Sequence, residues 1–227
     1  GQHTGSDDIV QTLRNVEKDP TIKGVILRIN SGGGSLLASD HIYQELTKLR
    51  EKKIPIYASL GNVAASGGYY IALGADKIFT NPGTLTGSIG VITEIKDKSE
   101  FHELLGIETE VIKTGKYQDM MTSYRKISEE EESMFKSFQR RHYDLFVSKV
   151  MDRRSLTREE ATEVAQGQVV IGEKALQLGL VDDIGHFYQV VDQLALETDV
   201  SSPELVYFRN SPTNLATILG RFLGLSR

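Results

Sequence analysis

The sequence predicts an α/β fold in which parallel strands alternate with helices. Three observations carry that reading. Short β-branched runs alternate with segments of helical period, the connections between them are short, and two glycine-rich turns each follow a strand and precede a helix. In sheets of this kind sites form at the carboxyl ends of the strands. Both glycine-rich turns fall there.

Ser6-Asp7-Asp8 caps a first helix whose apolar face is Ile9, Val10, Leu13 and Val16, and Asp19-Pro20 ends it. Ile22, Val25, Ile26, Leu27 and Ile29 then read as a buried strand within Thr21 to Asn30. Ser31-Gly32-Gly33-Gly34-Ser35 leads into a helix with Leu37, Ile42, Leu46 and Leu49 on one side. A second strand, Ile54 to Leu60, precedes Gly61-Asn62-Val63-Ala64-Ala65-Ser66-Gly67-Gly68, and a helix follows over Tyr69 to Ala75. Further strands are expected at Asp76 to Thr80, Ser88 to Thr93 and Glu108 to Lys113, with a helix over 97–105. Thr114 to Ile127 is a polar loop, and a loop of that length is more often functional than filler. Ser128 caps a long helix with Glu129 to Glu132 at its positive end. Phe135, Phe138, Leu145 and Phe146 are expected on its buried face, with His142 beside them as an ordinary hydrogen-bonded histidine. Helices over Thr157 to Ala165, Gly172 to Leu178 and Gly185 to Leu196, and a strand at Val169 to Ile171, complete the main pattern. The tail holds a strand-like patch, Leu205 to Phe208. Leu215, Ile218, Leu219, Phe222 and Leu223 then recur at helical spacing, as on a helix lying against the domain, a partner or a membrane surface.

The 227 residues are enough for one large domain with a real core, and 39% hydrophobic with 25% charged residues is an ordinary globular balance. A net charge of −5 with no basic stripe argues against nucleic acid as a partner. The absence of cysteine excludes a disulfide scaffold, a thiolate metal site and a cysteine nucleophile. No metal site or cofactor is expected. No apolar run reaches a membrane span, and the polar opening residues are no signal peptide, so an anchor and a first strand are expected upstream.

Ser66 sits among residues too small to cover it, at a strand-to-helix turn. Such a turn lifts a hydroxyl out and exposes the flanking N–H groups, which suits a nucleophile. The same segment also suits a helix cap followed by close packing. The triple-glycine turn lacks the Gly-Lys-Ser/Thr ending of a phosphate loop, and Leu37 stands where a dinucleotide fingerprint has its third glycine. The remaining use for bare N–H groups is an oxyanion hole, with Gly34 and Gly67 each directing one at a carbonyl oxygen near Ser66. A histidine triad could draw on Asp152 or Asp182 with His186, although Asp182 and His186 read as ordinary caps.

In this order Ile29-Asn30-Ser31 with the triple glycine, Ala64-Ala65-Ser66-Gly67-Gly68-Tyr69-Tyr70, Ala75-Asp76-Lys77-Ile78, Leu85-Thr86-Gly87-Ser88-Ile89-Gly90 and Ile112-Lys113-Thr114-Gly115 resemble bacterial signal peptide peptidase A. Gly167-Gln168-Val169 and Leu180-Val181-Asp182-Asp183-Ile184-Gly185 also fit, so the resemblance runs from about residue 8 to about residue 195. It implies a Clp protease/crotonase-like fold of stacked βαβ units with flanking helices. The protease domain would occupy residues 1–200, and residues 201–227 would form a C-terminal extension. It also implies a Ser–Lys dyad, with Ser66 as nucleophile and Ser88 helping to hold the lysine.

The position that matches the general-base lysine is Gln118, in Gly115-Lys116-Tyr117-Gln118-Asp119. A lysine serves as base when burial lowers its pKa; a carboxamide has no comparable basicity. Activity is therefore expected to be impaired, with Gln118 either an engineered inactivation or natural as in a pseudo-protease, unless Lys116 or Lys113 reaches the serine instead. Gly32 also departs from the family, where proline is common. The resemblance further implies that the protein degrades cleaved signal peptides or other extended apolar peptides outside the cell membrane, held there by an N-terminal anchor. It implies a homo-oligomer with shared active sites. Two other readings stand beside it: a non-catalytic peptide-binding pseudo-protease and a crotonase-like acyl-CoA enzyme.

Overall fold

The computed structural model describes residues 4–208, so the amphipathic segment Leu215 to Leu223 lies outside the described residues. The chain divides into two compact units, Gly1–Ser88 with Val169–Arg227, and Ile89–Gln168.

The first unit is built on strand β2, Ile56–Ala65, which is buried along most of its length. Its ten residues are long enough to serve three neighbours. β1 (Val25–Ser31) runs parallel along one edge, with Val25 opposite Ile56 and Ser31 opposite Ala64. The other edge is shared. β3 (Lys77–Thr80) pairs with Tyr57 to Ser59, and β4 (Leu85–Gly87) pairs with Val63 to Ala65, both parallel. β5 (Val169–Ile171) closes one side of the sheet antiparallel to β4, and β6 (Asp183–Ile184) extends the other parallel to β3. The parallel pattern read from the sequence is therefore present, with one antiparallel edge strand added.

Helices cover this sheet because their apolar stripes need partners. α1 (Ser6–Lys18) buries Leu13 and Val16 and packs on α2 (Leu36–Glu51), which in turn buries Ile42, Leu46 and Leu49. α3 (Gly67–Ala72) lies between α2 and the strands. α7 (Gly172–Gln177) joins β5 to β6, and α8 (Phe187–Glu197) sets Val190 and Leu194 against Tyr57 and Phe79 in one cluster. Gly172 opens α7 at a close backbone approach: a Cβ there would lie 2.0 Å from the Asn81 carbonyl oxygen.

In the second unit, α4 is Ser99–Leu104, shorter than the expected 97–105. α5 (Glu129–Arg154) starts on a capping box, with Ser128 Oγ accepting from Glu131 N–H at 3.2 Å and Ser128 N–H donating to Glu131 Oε2 at 2.8 Å. α5 packs on α6 (Arg158–Val164) and buries Phe146, Val147 and Val150. The expected buried face of α5 is only partly correct. Phe146 is buried, but Phe138, Leu145 and His142 are exposed. The buried apolar residues of α5 all fall in its C-terminal half, so the apolar period outruns the buried face.

Three expected strands are not strands. After Gly87 the chain turns out of the sheet at Ser88, whose φ is +48°, although Ile89 beyond it is fully buried. Glu108 to Lys113 is irregular and Ile112 is 95% exposed. β propensity is realised only on an edge that supplies a partner, and none among the described residues pairs with it. Leu205 to Phe208 is likewise irregular. No helix among the described residues is long and apolar enough to cross a membrane.

Gly172→Ala is expected to cost about 2–3 kcal/mol, because backbone must move to admit the methyl group. Gly83→Ala, with nothing within 4 Å of a new Cβ, is expected to stay within about 0.5 kcal/mol. Thermal unfolding of the two variants beside the parent measures both.

Candidate active site

β2 ends at Ala65 and α3 begins at Gly67, so Ser66 alone makes the turn. Its φ of +51° and ψ of −121° lie outside the usual regions for a residue with a side chain. Such a conformation costs of order 1–3 kcal/mol and persists only where the surroundings impose it. Three contacts impose it here. Ser66 N–H donates to Gly87 O at 2.8 Å, Tyr70 N–H donates to Ser66 O at 2.9 Å, and the triple-glycine turn presses on the outer side. Tyrosine hydroxyls anchor α3 beyond the turn: Tyr70 donates to Asp40 Oδ1 at 2.6 Å and Tyr69 to Leu180 O at 2.7 Å.

Gly33 has φ +119°, and a Cβ on it would meet Ser66 Cβ at 2.8 Å and Gly67 N at 3.1 Å. A Cβ on Gly67 would lie 3.1 Å from Gly34 N. The expected residues Ser66, Gly34 and Gly67 are thus brought together. Among the described residues of this unit, neither Gly34 N–H nor Gly67 N–H has a hydrogen-bond partner. Ser35 caps α2 just beyond, accepting from Ala38 N–H at 3.4 Å. Ser88 follows Gly87, which is opposite Ala65 in the ladder, so Ser66 and Ser88 leave neighbouring strands side by side, both at positive φ.

Among the described residues of this unit no carboxylate, imidazole or amine hydrogen-bonds Ser66 Oγ. Two of the triad candidates, Asp182 and His186, take part in backbone contacts. Asp182 Oδ2 accepts from Ile78 N–H at 2.7 Å, which fixes β3, and His186 N–H donates to Gln189 at the start of α8.

Gln118 lies in the second unit. Its Oε1 accepts from Thr114 N–H at 3.1 Å and Gly115 N–H at 3.2 Å, and its Nε2 donates to Thr114 Oγ1 at 3.2 Å. The carboxamide therefore closes a ring on its own loop. The two alternative lysines are both engaged. Lys116 Nζ pairs with Glu130, and the Glu130 carboxylate, then Tyr117, raises its pKa further above the ordinary lysine value. Lys113 Nζ donates to Asp119 Oδ1 at 2.6 Å and to Lys116 O at 3.1 Å. Both amines are thus engaged by carboxylates of their own unit.

A cluster that the sequence did not reveal stands next to Gln118. Asp119 and Glu131 are buried, and Arg125 bridges them. Arg125 and then Lys113 hold the Asp119 carboxyl far below the usual carboxylate range. Arg125 and then the Ser128 N–H pull Glu131 down to about 2. Only the Ser128–Glu131 capping box was readable from spacing. The contact of Arg125 with two carboxylates, each six residues away, has no local signature.

Stacked βαβ units with a strained serine against a glycine turn define a Clp protease-like α/β fold. Solved structures agree. A ClpP1 mutant from Listeria monocytogenes superposes with a TM-score of 0.56 at 15% identity, covering 81% of this chain and 85% of that one. A mutant of a membrane-bound stomatin-specific protease gives 0.55 at 18% identity, covering 84% and 77%. Residues 2–85 match the Clp protease family. The chain belongs to peptidase family S49, which it matches over residues 48–201. A putative signal peptide peptidase SppA of Enterococcus faecium is 38% identical over 205 residues, 90% of this chain and 60% of that protein. Protease 4 of Salmonella typhi is 33% identical over 225 residues, 99% of this chain and 36% of that protein. The chain thus spans less than two thirds of the length of these relatives.

Gly33→Ala is expected to lower thermal stability and abolish labelling of Ser66 by a fluorophosphonate. Gly34→Ala keeps its N–H and meets nothing within 4 Å, so it should leave the melting temperature unchanged. The carboxylate cluster has a definite pH sign. Its folded pKa values lie below the unfolded value of about 4, so its contribution is complete above that value and is lost as pH falls through the folded values. The carboxyl carbon of Glu131 should titrate at about 2 by NMR, and in Arg125→Met at about 4 or higher.

Proposed function

We propose that this chain is the catalytic part of a serine endopeptidase that cleaves extended apolar peptides, cleaved signal peptides among them. Ser66 is the nucleophile, and the N–H groups of Gly34 and Gly67 form the oxyanion hole. The observation that carries this reading is a serine held at φ +51° beside two N–H groups that have no partner among the described residues of their unit. The name of the Enterococcus relative supports the substrate class.

In the reaction, Ser66 Oγ attacks the scissile carbonyl carbon and its proton must be taken up. The carbonyl oxygen gains negative charge that the two N–H groups stabilise, and one such donor is worth about 10²–10³ in rate. The C–N bond then breaks, the amine leaves with a proton, and water hydrolyses the ester to free Ser66. Position 118 is the place of the base, with Ser88 supporting it. A glutamine there cannot take the serine proton, so this chain turns over slowly. In this reading Ser66 and residue 118 come from neighbouring copies of a homo-oligomer outside the cell membrane, held there by an N-terminal anchor.

One observation favours a second reading, a peptide-binding pseudo-protease. The Gln118 carboxamide is fully used as an acceptor for its own loop, a role that lysine cannot fill.

A fluorogenic peptide of apolar side chains separates the two. Gln118→Lys is expected to raise kcat/KM by about 10²–10⁴, and Ser66→Ala to abolish cleavage in either background. Thr114 is exposed, so water can replace the carboxamide at its N–H. Cleavage unchanged by Gln118→Lys yet lost in Ser66→Ala would assign the base elsewhere. Peptide retained without any acyl-enzyme in either chain would favour the pseudo-protease.

A further inference from the structure

We infer that Arg125 is a positioning residue for position 118: it locks residues 113–131 into one hydrogen-bonded body and so fixes where the side chain at 118 is presented. The inference rests on the reading of 118 as the place of the base. A guanidinium has five N–H donors in a rigid planar fork, and Arg125 uses all of them. Nε donates to Asp119 Oδ2 at 2.9 Å. One terminal nitrogen donates to Lys126 O at 3.0 Å and Glu131 Oε2 at 2.9 Å, and the other to Asp119 O at 3.3 Å and Glu131 Oε1 at 2.7 Å.

Each end of this bridge continues into the fold. Glu131 also accepts from Ser128 N–H, so the bridge is tied to the first turn of α5, the longest helix of the unit. Asp119 also accepts from Lys113 Nζ, which in turn donates to Lys116 O, so the far end of the loop is held by the same carboxylate. Residue 118 lies between these tie points and adjoins Asp119. A polar loop with no regular structure is thereby given one shape by charge-assisted bonds to carboxylates that are 7% and 2% exposed. Leaving buried carboxylates unpaired is costly. The loop therefore keeps its shape as long as Arg125 keeps its fork.

Two measurements on the full chain test this. The first is amide hydrogen exchange by mass spectrometry. Arg125→Met is expected to speed exchange in 113–119 at least tenfold while β2 and the C-terminal half of α5 stay as in the parent. Unchanged exchange in 113–119 would overturn the clamp, and faster exchange everywhere would show general destabilisation and overturn it equally. The second is kinetic, in the Gln118→Lys background. Adding Arg125→Met should lower kcat at least tenfold with KM changed less than threefold, and Arg125→Lys, a point charge without the fork, should restore only part of the loss. A fall in KM-dependent binding alone, or full restoration by lysine, would overturn the positioning role. Absence of any gain from Gln118→Lys would overturn the reading of 118 as the base position, and the positioning role with it. The exchange result would then still report on the clamp by itself.

Discussion

The turn at Ser66 holds because Gly33 has no side chain. A serine at φ +51° is disfavoured by its own backbone, and the hydrogen bond to Gly87 O fixes it from the strand side only. On the other side the triple-glycine turn comes so near that a methyl group on Gly33 would overlap Ser66 Cβ. That approach requires a glycine at φ +119°, and it also brings the unpartnered N–H groups of Gly34 and Gly67 to one place. The length of β2, the order of its neighbours and the packing of α2 on α3 all serve to hold two glycine-rich turns in contact.

The second unit solves a different problem. Its loop has little apolar material to bury, so its shape comes from charge. Arg125 supplies the fork, Asp119 and Glu131 the two faces, and the first turn of α5 the fixed point. Gln118 sits within this body and adds bonds of its own. The glutamine therefore has a structural role of its own. Its oxygen does something that an ammonium cannot, since it accepts two backbone N–H groups.

What could be read in the sequence follows from how local each feature is. Alternating strands and helices, the capping box at Ser128 and the placing of Ser66 at a strand-to-helix turn all depend on neighbours a few residues away, and all were legible. Which of the three glycines is indispensable was not, because Gly33 is constrained by Ser66 across the sheet rather than by its own segment. The apolar period of α5 promised a buried face along its whole length, yet Phe138 and Leu145 are exposed, because periodicity cannot say where the covering element stops. Glu108 to Lys113 alternates like a strand but lacks an edge to join. The Arg125 cluster joins residues six apart in an irregular loop, a spacing that belongs to no repeating structure and so leaves no pattern.

The ring that Gln118 closes on Thr114 and Gly115 also bears on inheritance. Glutamine and lysine codons differ in their first base alone, so an amine at this position is one mutational step away in either direction. A residue with no local role would drift freely under such traffic. Here the carboxamide holds its own loop, so a change at 118 also changes what satisfies the N–H groups of Thr114 and Gly115.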